Sequence, residues 1–319
     1  MEPCTHHNCF AHEDATCALG HLNLATCPAL KTTLSKTGAA PVQSDDVLLP
    51  WSGEPMGVYD LNFVTGRVKP TTVGIFGPES AGKTTVLGAW YLLLGRGLLG
   101  NPPAGFCGSY SLGGWEAVAS SLRWEPGQKP TFPPHTTSRG GRAPGMLHLA
   151  FRADDGERRE LIFADAPGEW FQKWAVDAAS EEAEGARWIA EHADVVLLVA
   201  DSEALSGAKM GTARSAFQLL AQRTAAGRRG RPVALVWTKA DLPVNPAMGD
   251  RIRQAIRKEI PDAAEFSVSV FSKDGSNPMD GFQRLFDWVM TYRRPGVELP
   301  VAASGSKDPL FVYGRRSHG

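Results

Sequence analysis

An α/β architecture built on a doubly wound, mostly parallel six-stranded sheet is expected from three features of this chain. Apolar, β-branched runs of strand length alternate with helix-length segments between residues 72 and 292. A glycine-rich motif separates the first such run from the first helix. Two further polar motifs fall at the carboxyl ends of later runs, where open α/β sheets bind their ligands.

The elements follow in order. Thr72-Val73-Gly74-Ile75-Phe76 reads as the first strand, and Thr85 to Leu94 as the helix after the glycine-rich loop. Met146 to Arg152 and Arg158 to Ala164 are strands joined by the turn signal Asp154-Asp155-Gly156, which makes them an antiparallel pair. Glu169 to Glu191 reads as one helix carrying Trp170, Trp174 and Trp188, and those tryptophans are expected to pack rather than to form an aromatic site. Asp194 to Ala200 is apolar enough for a strand buried on both faces. A helix over 207–226, a strand over 232–237, a helix over 247–259, a strand over 265–270 and a closing helix from Pro278 to Tyr292 complete the series.

The loop Gly77-Pro78-Glu79-Ser80-Ala81-Gly82-Lys83-Thr84 matches the pattern G-x-x-x-x-G-K-[ST] in its strand-loop-helix setting. Its glycines let consecutive backbone N–H groups and the helix N-terminus, through Thr85, face an anion. Lys83 is placed to reach the β- and γ-phosphates of a nucleoside triphosphate. The Thr84 hydroxyl is placed to ligate Mg²⁺, a hard ion that takes oxygen ligands. Downstream, Asp165-Ala166-Pro167-Gly168 ends a strand: Asp165 would hold Mg²⁺ and the Gly168 amide would meet the γ-phosphate. Thr238-Lys239-Ala240-Asp241 ends another. The Asp241 carboxylate can accept two hydrogen bonds from the guanine edge, a donor pair adenine lacks, while the Lys239 stem would lie over the base.

With these motifs in this order, residues 71–293 resemble a Ras-like small GTPase domain of the P-loop GTPase superfamily. The sequence Asp-x-x-Gly-Glu followed by Trp170-Phe171 also resembles the double-GTPase proteins of bacteria. The resemblance implies GTP and GDP as ligands, Mg²⁺ as cofactor and slow hydrolysis in a molecular switch. Thr238 replaces the usual Asn but keeps a hydroxyl able to tie the base loop to the phosphate loop. Glu169 stands where many relatives have the Gln that orients the attacking water, and a carboxylate there adds repulsion toward the γ-phosphate. In the interval expected to hold the switch threonine, Pro133-Pro134-His135-Thr136-Thr137-Ser138 is the candidate, with Thr136 ahead of Thr137 as Mg²⁺ ligand; a Pro-rich surface turn is the other reading. Arg139 and Arg142 follow, close enough for an arginine supplied in cis to be conceivable. The base loop after the sixth strand begins at Ser269-Val270-Phe271, where the family commonly has Ser-Ala-Lys. Lys83, Glu169 and Thr136 are thus the expected catalytic residues. A hydrolysis-deficient, nucleotide-loaded scaffold and an ATP-using P-loop ATPase are the rival classes.

Four of the chain's five cysteines, Cys4, Cys9, Cys17 and Cys27, crowd into the first thirty residues with four of its histidines. Zn²⁺ held by those cysteines, with His21 as a substitute ligand, explains the cluster; disulfides or a metal-avid tail are the alternatives. Metal would supply the folding energy of so short a segment and leave no open coordination position, so docking is its expected role. The organisation is then a zinc-binding segment over 1–30, a connector over 31–70, a GTPase domain over 71–295 and a flexible tail over 296–319, in which Phe311-Val312-Tyr313 is a docking-peptide candidate.

At 319 residues with 43% hydrophobic and 21% charged residues, the chain can bury one α/β core plus appendages, and its net charge of −1 makes no field for nucleic acid or anionic lipid. Gly227-Arg228-Arg229-Gly230-Arg231 reads as a solvated loop or a patch for an acidic partner, and Cys107 as a lone thiol without chemistry. No signal peptide, lipid-anchor motif or spanning segment is evident. The expected setting is the cytoplasm. The expected partners are GTP and an effector or activating protein, another GTPase included.

Overall fold

The structure, a computed structural model, describes residues 55–66, 68–99, 104–123, 127, 131–133, 145–153, 156–271 and 277–293. The candidate zinc ligands Cys4, Cys9, Cys17, His21 and Cys27, the candidate switch residue Thr136 and the segment 294–319 lie outside the described residues.

Among the described residues, a 3₁₀ turn at Val58–Asp60 runs into α1 (Leu61–Thr65), followed by β1 (Thr71–Phe76), α2 (Lys83–Gly95), β2 (Ala104–Gly108), α3 (Leu112–Ser120), β3 (Gly145–Ala153), β4 (Arg158–Asp165) and α4 (Gly168–Val176). A second 3₁₀ turn at Glu181–Ala183 leads to α5 (Glu184–His192), β5 (Val195–Asp201), α6 (Ser202–Ser206), α7 (Met210–Ala226), β6 (Val233–Thr238), α8 (Pro246–Glu259), β7 (Ala264–Ser267) and α9 (Met279–Thr291). The strands form one sheet in the order β2-β3-β4-β1-β5-β6-β7. β4, β1, β5, β6 and β7 run parallel to one another, while β3 is antiparallel to both β2 and β4. The carboxyl ends of five strands therefore meet along one edge.

The period of two along each strand divides the core. Val73 and Ile75 of β1 pack with Leu87, Trp90, Phe163 and Phe286 under α2, α3 and α9. Phe76 packs on the opposite face with Ile162, Leu198, Phe171 and Trp174 under α4, α5, α7 and α8. β5 is buried along its whole length, as its uninterrupted apolar run requires. Trp90 and Trp174 are core residues, and the buried Trp90 donates its indole N–H to the carbonyl of Phe282 at 2.9 Å.

Among the described residues the sheet has seven strands rather than the expected six. β2 is the addition, and its sequence Ala-Gly-Phe-Cys-Gly has too many glycines to announce a strand; antiparallel pairing with β3 creates it. Beyond β2, side chains continue the ladder: the Ser111 hydroxyl accepts the His148 N–H at 2.8 Å, and Ser109 Oγ donates to the His148 carbonyl at 2.5 Å. The ring of His148 meets the buried carboxylate of Glu160, which Arg158 also holds. Burial pushes the Glu160 carboxyl up, but those two partners hold it below its ordinary range.

The helix expected over Glu169 to Glu191 is broken. Asp177 is extended, its side chain takes the Ala179 N–H at 2.9 Å, and this local turn outcompetes helix continuation until α5 begins. The strand expected over 265–270 ends at Ser267; Val268 still bonds to the end of β6, donating to the Trp237 carbonyl at 2.8 Å and accepting the Ala240 N–H at 3.2 Å, and the chain bends at Val270. The basic run is built into the fold rather than simply solvated: Arg228 pairs with Asp262, and Arg231 donates to the carbonyls of Ala193 and Gly227. Cys107 is exposed on β2. In the connector, Met56 pairs backbone to backbone with Met146 and is buried. No described helix is long and apolar enough to cross a membrane.

Candidate functional site

A cavity of about 640 Å³ opens along the edge where the parallel strands end. At one end lie Glu79 to Thr85 of the loop after β1, together with Gly168 and Glu169; at the other lie Thr238, Lys239, Asp241, Ser269 and Val270. The structure thus brings together most of the residues singled out from the sequence. Gly77 and Pro78 lie behind the lining. A Cβ on Gly77 would come within 2.9 Å of the Val199 side chain, and the Pro78 carbonyl accepts the Lys83 ammonium at 2.8 Å.

The loop's conformation follows from its sequence. Ser80 and Gly82 have φ of 57° and 81°, so the chain curls left-handed just before α2 starts at Lys83. Such a curl turns successive amides inward as an anion nest, and the first-turn N–H groups of α2 have no partner within the helix. Lys83 is only 6% exposed. Burial drives its pKa below the ordinary lysine value, opposed by the carboxylates of Asp165, Glu169 and Glu79. A buried ammonium facing a cradle of amides is suited to a polyphosphate.

The Thr84 hydroxyl donates to the Asp165 carboxylate at 2.9 Å. An alcohol and a carboxylate oxygen held side by side at the edge of the anion nest fit a hard divalent ion, so the pair is chemically apt for Mg²⁺. Gly168 is pressed against the loop: a Cβ there would lie 2.0 Å from the Glu79 nitrogen. No side chain fits, and the backbone of α4 rests directly on the loop after β1.

At the far end, the Thr238 hydroxyl donates to the Ala81 carbonyl at 2.8 Å, linking the loop after β6 to the loop after β1. Asp241 Oδ1 accepts the Ser269 hydroxyl at 2.6 Å, and the same oxygen of Ser269 accepts the Phe271 N–H at 3.1 Å. The carboxylate is thereby oriented by a residue outside its own motif. Lys239, with φ of 51°, donates to Asp201 and Glu203. Burial lowers its pKa, but those two hydrogen bonds hold the ammonium above its usual value. Replacing Thr238 by Val should cost about 1–3 kcal/mol of stability, because the buried Ala81 carbonyl loses its donor; denaturant unfolding of the two proteins measures it.

Several lining residues escape the motif reading. Phe132 and Phe271 meet edge to face across the cavity mouth, with ring centroids 6.1 Å apart, and Glu203 and Leu242 line it as well. Phe132 directly precedes the Pro-Pro pair, and Phe271 closes the Ser269-Val270-Phe271 stretch where the base loop is expected to begin, but nothing in the sequence brings their two rings together. Glu203, two residues past the end of β5, reaches the site because β5 and β6 end side by side.

The chain matches the Double-GTPase 2 family over residues 71–289. No match to a curated protein was found. Among solved structures, it is similar to a crystal structure of Era in complex with MgGDPNP and nucleotides 1506-1542 of 16S ribosomal RNA, at 18% identity and a TM-score of 0.36. That match covers 72% of this chain, and this chain spans 59% of that one; the similarity is too low to bear on function.

Proposed function

This chain belongs to the Double-GTPase 2 family, and from that premise we propose that it is a Mg²⁺-dependent GTP-binding switch that hydrolyses GTP slowly. Membership makes it a GTP-binding P-loop protein; the slow turnover, the switch behaviour and its partners are our reading. The observation that carries it is that one cavity has an anion nest and a buried lysine at one end and an oriented carboxylate, Asp241, at the other. The span suits a molecule with an anionic tail and a base bearing two adjacent donors.

In this reading Glu79 to Thr85 and Gly168 bind the phosphates, and Lys83 neutralises charge spreading onto the γ-phosphoryl oxygens as water attacks in line and the bond to the β-phosphate oxygen breaks. Thr84 and Asp165 would hold Mg²⁺, with Thr136 as the switch ligand. When bound, the ion supplies charge neutralisation at the phosphates. Asp241, Ser269 and the backbone near Val270 would hold the guanine edge, Thr238 would fix the base loop, and Phe132 and Phe271 would close over the ring. Zn²⁺ bound by Cys4, Cys9, Cys17 and Cys27, with His21 as the substitute ligand, would recruit the protein to its partner in the cytoplasm. An activating protein, another GTPase included, would complete the chemistry.

Slow unaided turnover is expected because Glu169 puts a carboxylate beside the γ-phosphate, where like charges repel. Glu169→Gln should raise the single-turnover rate of γ-labelled GTP cleavage by about tenfold, the scale of one well-placed charge. If the change abolishes cleavage instead, Glu169 is a working catalytic residue. If neither form cleaves GTP with partner present, the protein is a nucleotide-loaded scaffold.

A further inference from the structure

Lys239 is restrained far more than its place in a tetrapeptide motif demands. Its ammonium lies 3.0 Å from Asp201 Oδ2 and 2.7 Å from Glu203 Oε2. Asp201 is only 7% exposed, and its other carboxylate oxygen accepts the Glu203 N–H at 3.0 Å as the N-cap of α6. The arrangement is a product of strand register: Asp201 is paired with Thr238 in the β5–β6 ladder, so the acid and the lysine leave neighbouring strand ends side by side. Lys239 and Glu203 both line the cavity, next to Asp241.

A lysine stem is flexible, and an ammonium beside a polyphosphate site is drawn toward the anion. Two carboxylates pulling it the other way hold the stem along the cavity wall and leave its methylene face for the ring of a bound base. We propose that Asp201 and Glu203 are positioning residues for nucleotide recognition, which anchor the Lys239 ammonium at the rim so that its stem forms the platform under the purine. This inference rests on the reading of the cavity as a guanine-nucleotide site.

A double-mutant cycle on the full chain tests it, with Mg²⁺-GDP affinity as the readout. D201N/E203Q and K239A should each weaken GDP about tenfold or more, and the combination of all three should be no weaker than K239A alone, because the acids act only through the lysine. Inorganic tripolyphosphate, which has no base to place, should compete at least as well against D201N/E203Q as against the wild type, since fewer like charges oppose the anion and the freed ammonium can swing toward it. The single variant E203Q, at a side chain 65% exposed, gives the same test without disturbing the buried acid and should show a smaller loss that also vanishes in the K239A background. Independent, multiplying losses would overturn the proposal, as would a parallel loss of tripolyphosphate binding; either makes the ion pairs merely structural. Wild-type protein that binds tripolyphosphate but no GDP would instead sink the underlying reading of the site.

Discussion

Asp241→Asn is expected to weaken GTP binding about a thousandfold or more and to create binding of xanthosine triphosphate. In the proposed reading the carboxylate accepts from two donors on guanine; an amide offers one acceptor and one donor, which opposes the guanine amino group and matches the carbonyl that xanthine carries at the same carbon. Ser269 can still donate to the amide oxygen in place of Asp241 Oδ1, so the side chain should keep its orientation. The change is therefore one of hydrogen-bonding identity rather than of fold. Paired calorimetric titrations with the two nucleotides measure it, and a variant that loses GTP without gaining xanthosine triphosphate would place the base elsewhere.

Gly168→Ala is the second large effect. The added methyl would sit 2.0 Å from the Glu79 nitrogen and 2.3 Å from the Pro78 carbonyl carbon, with only backbone there to yield. Either the start of α4 lifts away or the phosphate loop is displaced, and a shift of about an ångström at reacting groups can cost about a hundredfold in rate. Turnover with any activating partner should fall by at least about that factor, whereas Gly211→Ala, where nothing lies within 4 Å of the new methyl, should leave it unchanged. Equal turnover in the two variants would mean that the contact between α4 and the loop has no part in the chemistry.

The parts of the fold legible in the sequence are those fixed by local chemistry. β1, the loop to Thr84, β4 with Asp165, and β6 with its Thr-Lys-Ala-Asp end all combine uninterrupted apolar runs with residue types that only a few backbone conformations accept. What could not be read depends on partners distant in the chain. β2 is a strand because β3 lies beside it, and the break after Val176 turns on one side chain, Asp177, capturing one amide. The same holds at the site. Asp201 and Glu203 matter because β5 and β6 end together, and Phe132 meets Phe271 only once the sheet has closed the distance between their loops.

Direct comparison of Mg²⁺-GTP and Mg²⁺-ATP binding to the purified chain by calorimetry tests the central claim, that Asp241 reads the base while the loop before α2 grips the phosphates. The account predicts one site that takes GTP and binds ATP at least about a thousandfold more weakly. Equal affinity for the two, or none for either, would contradict it.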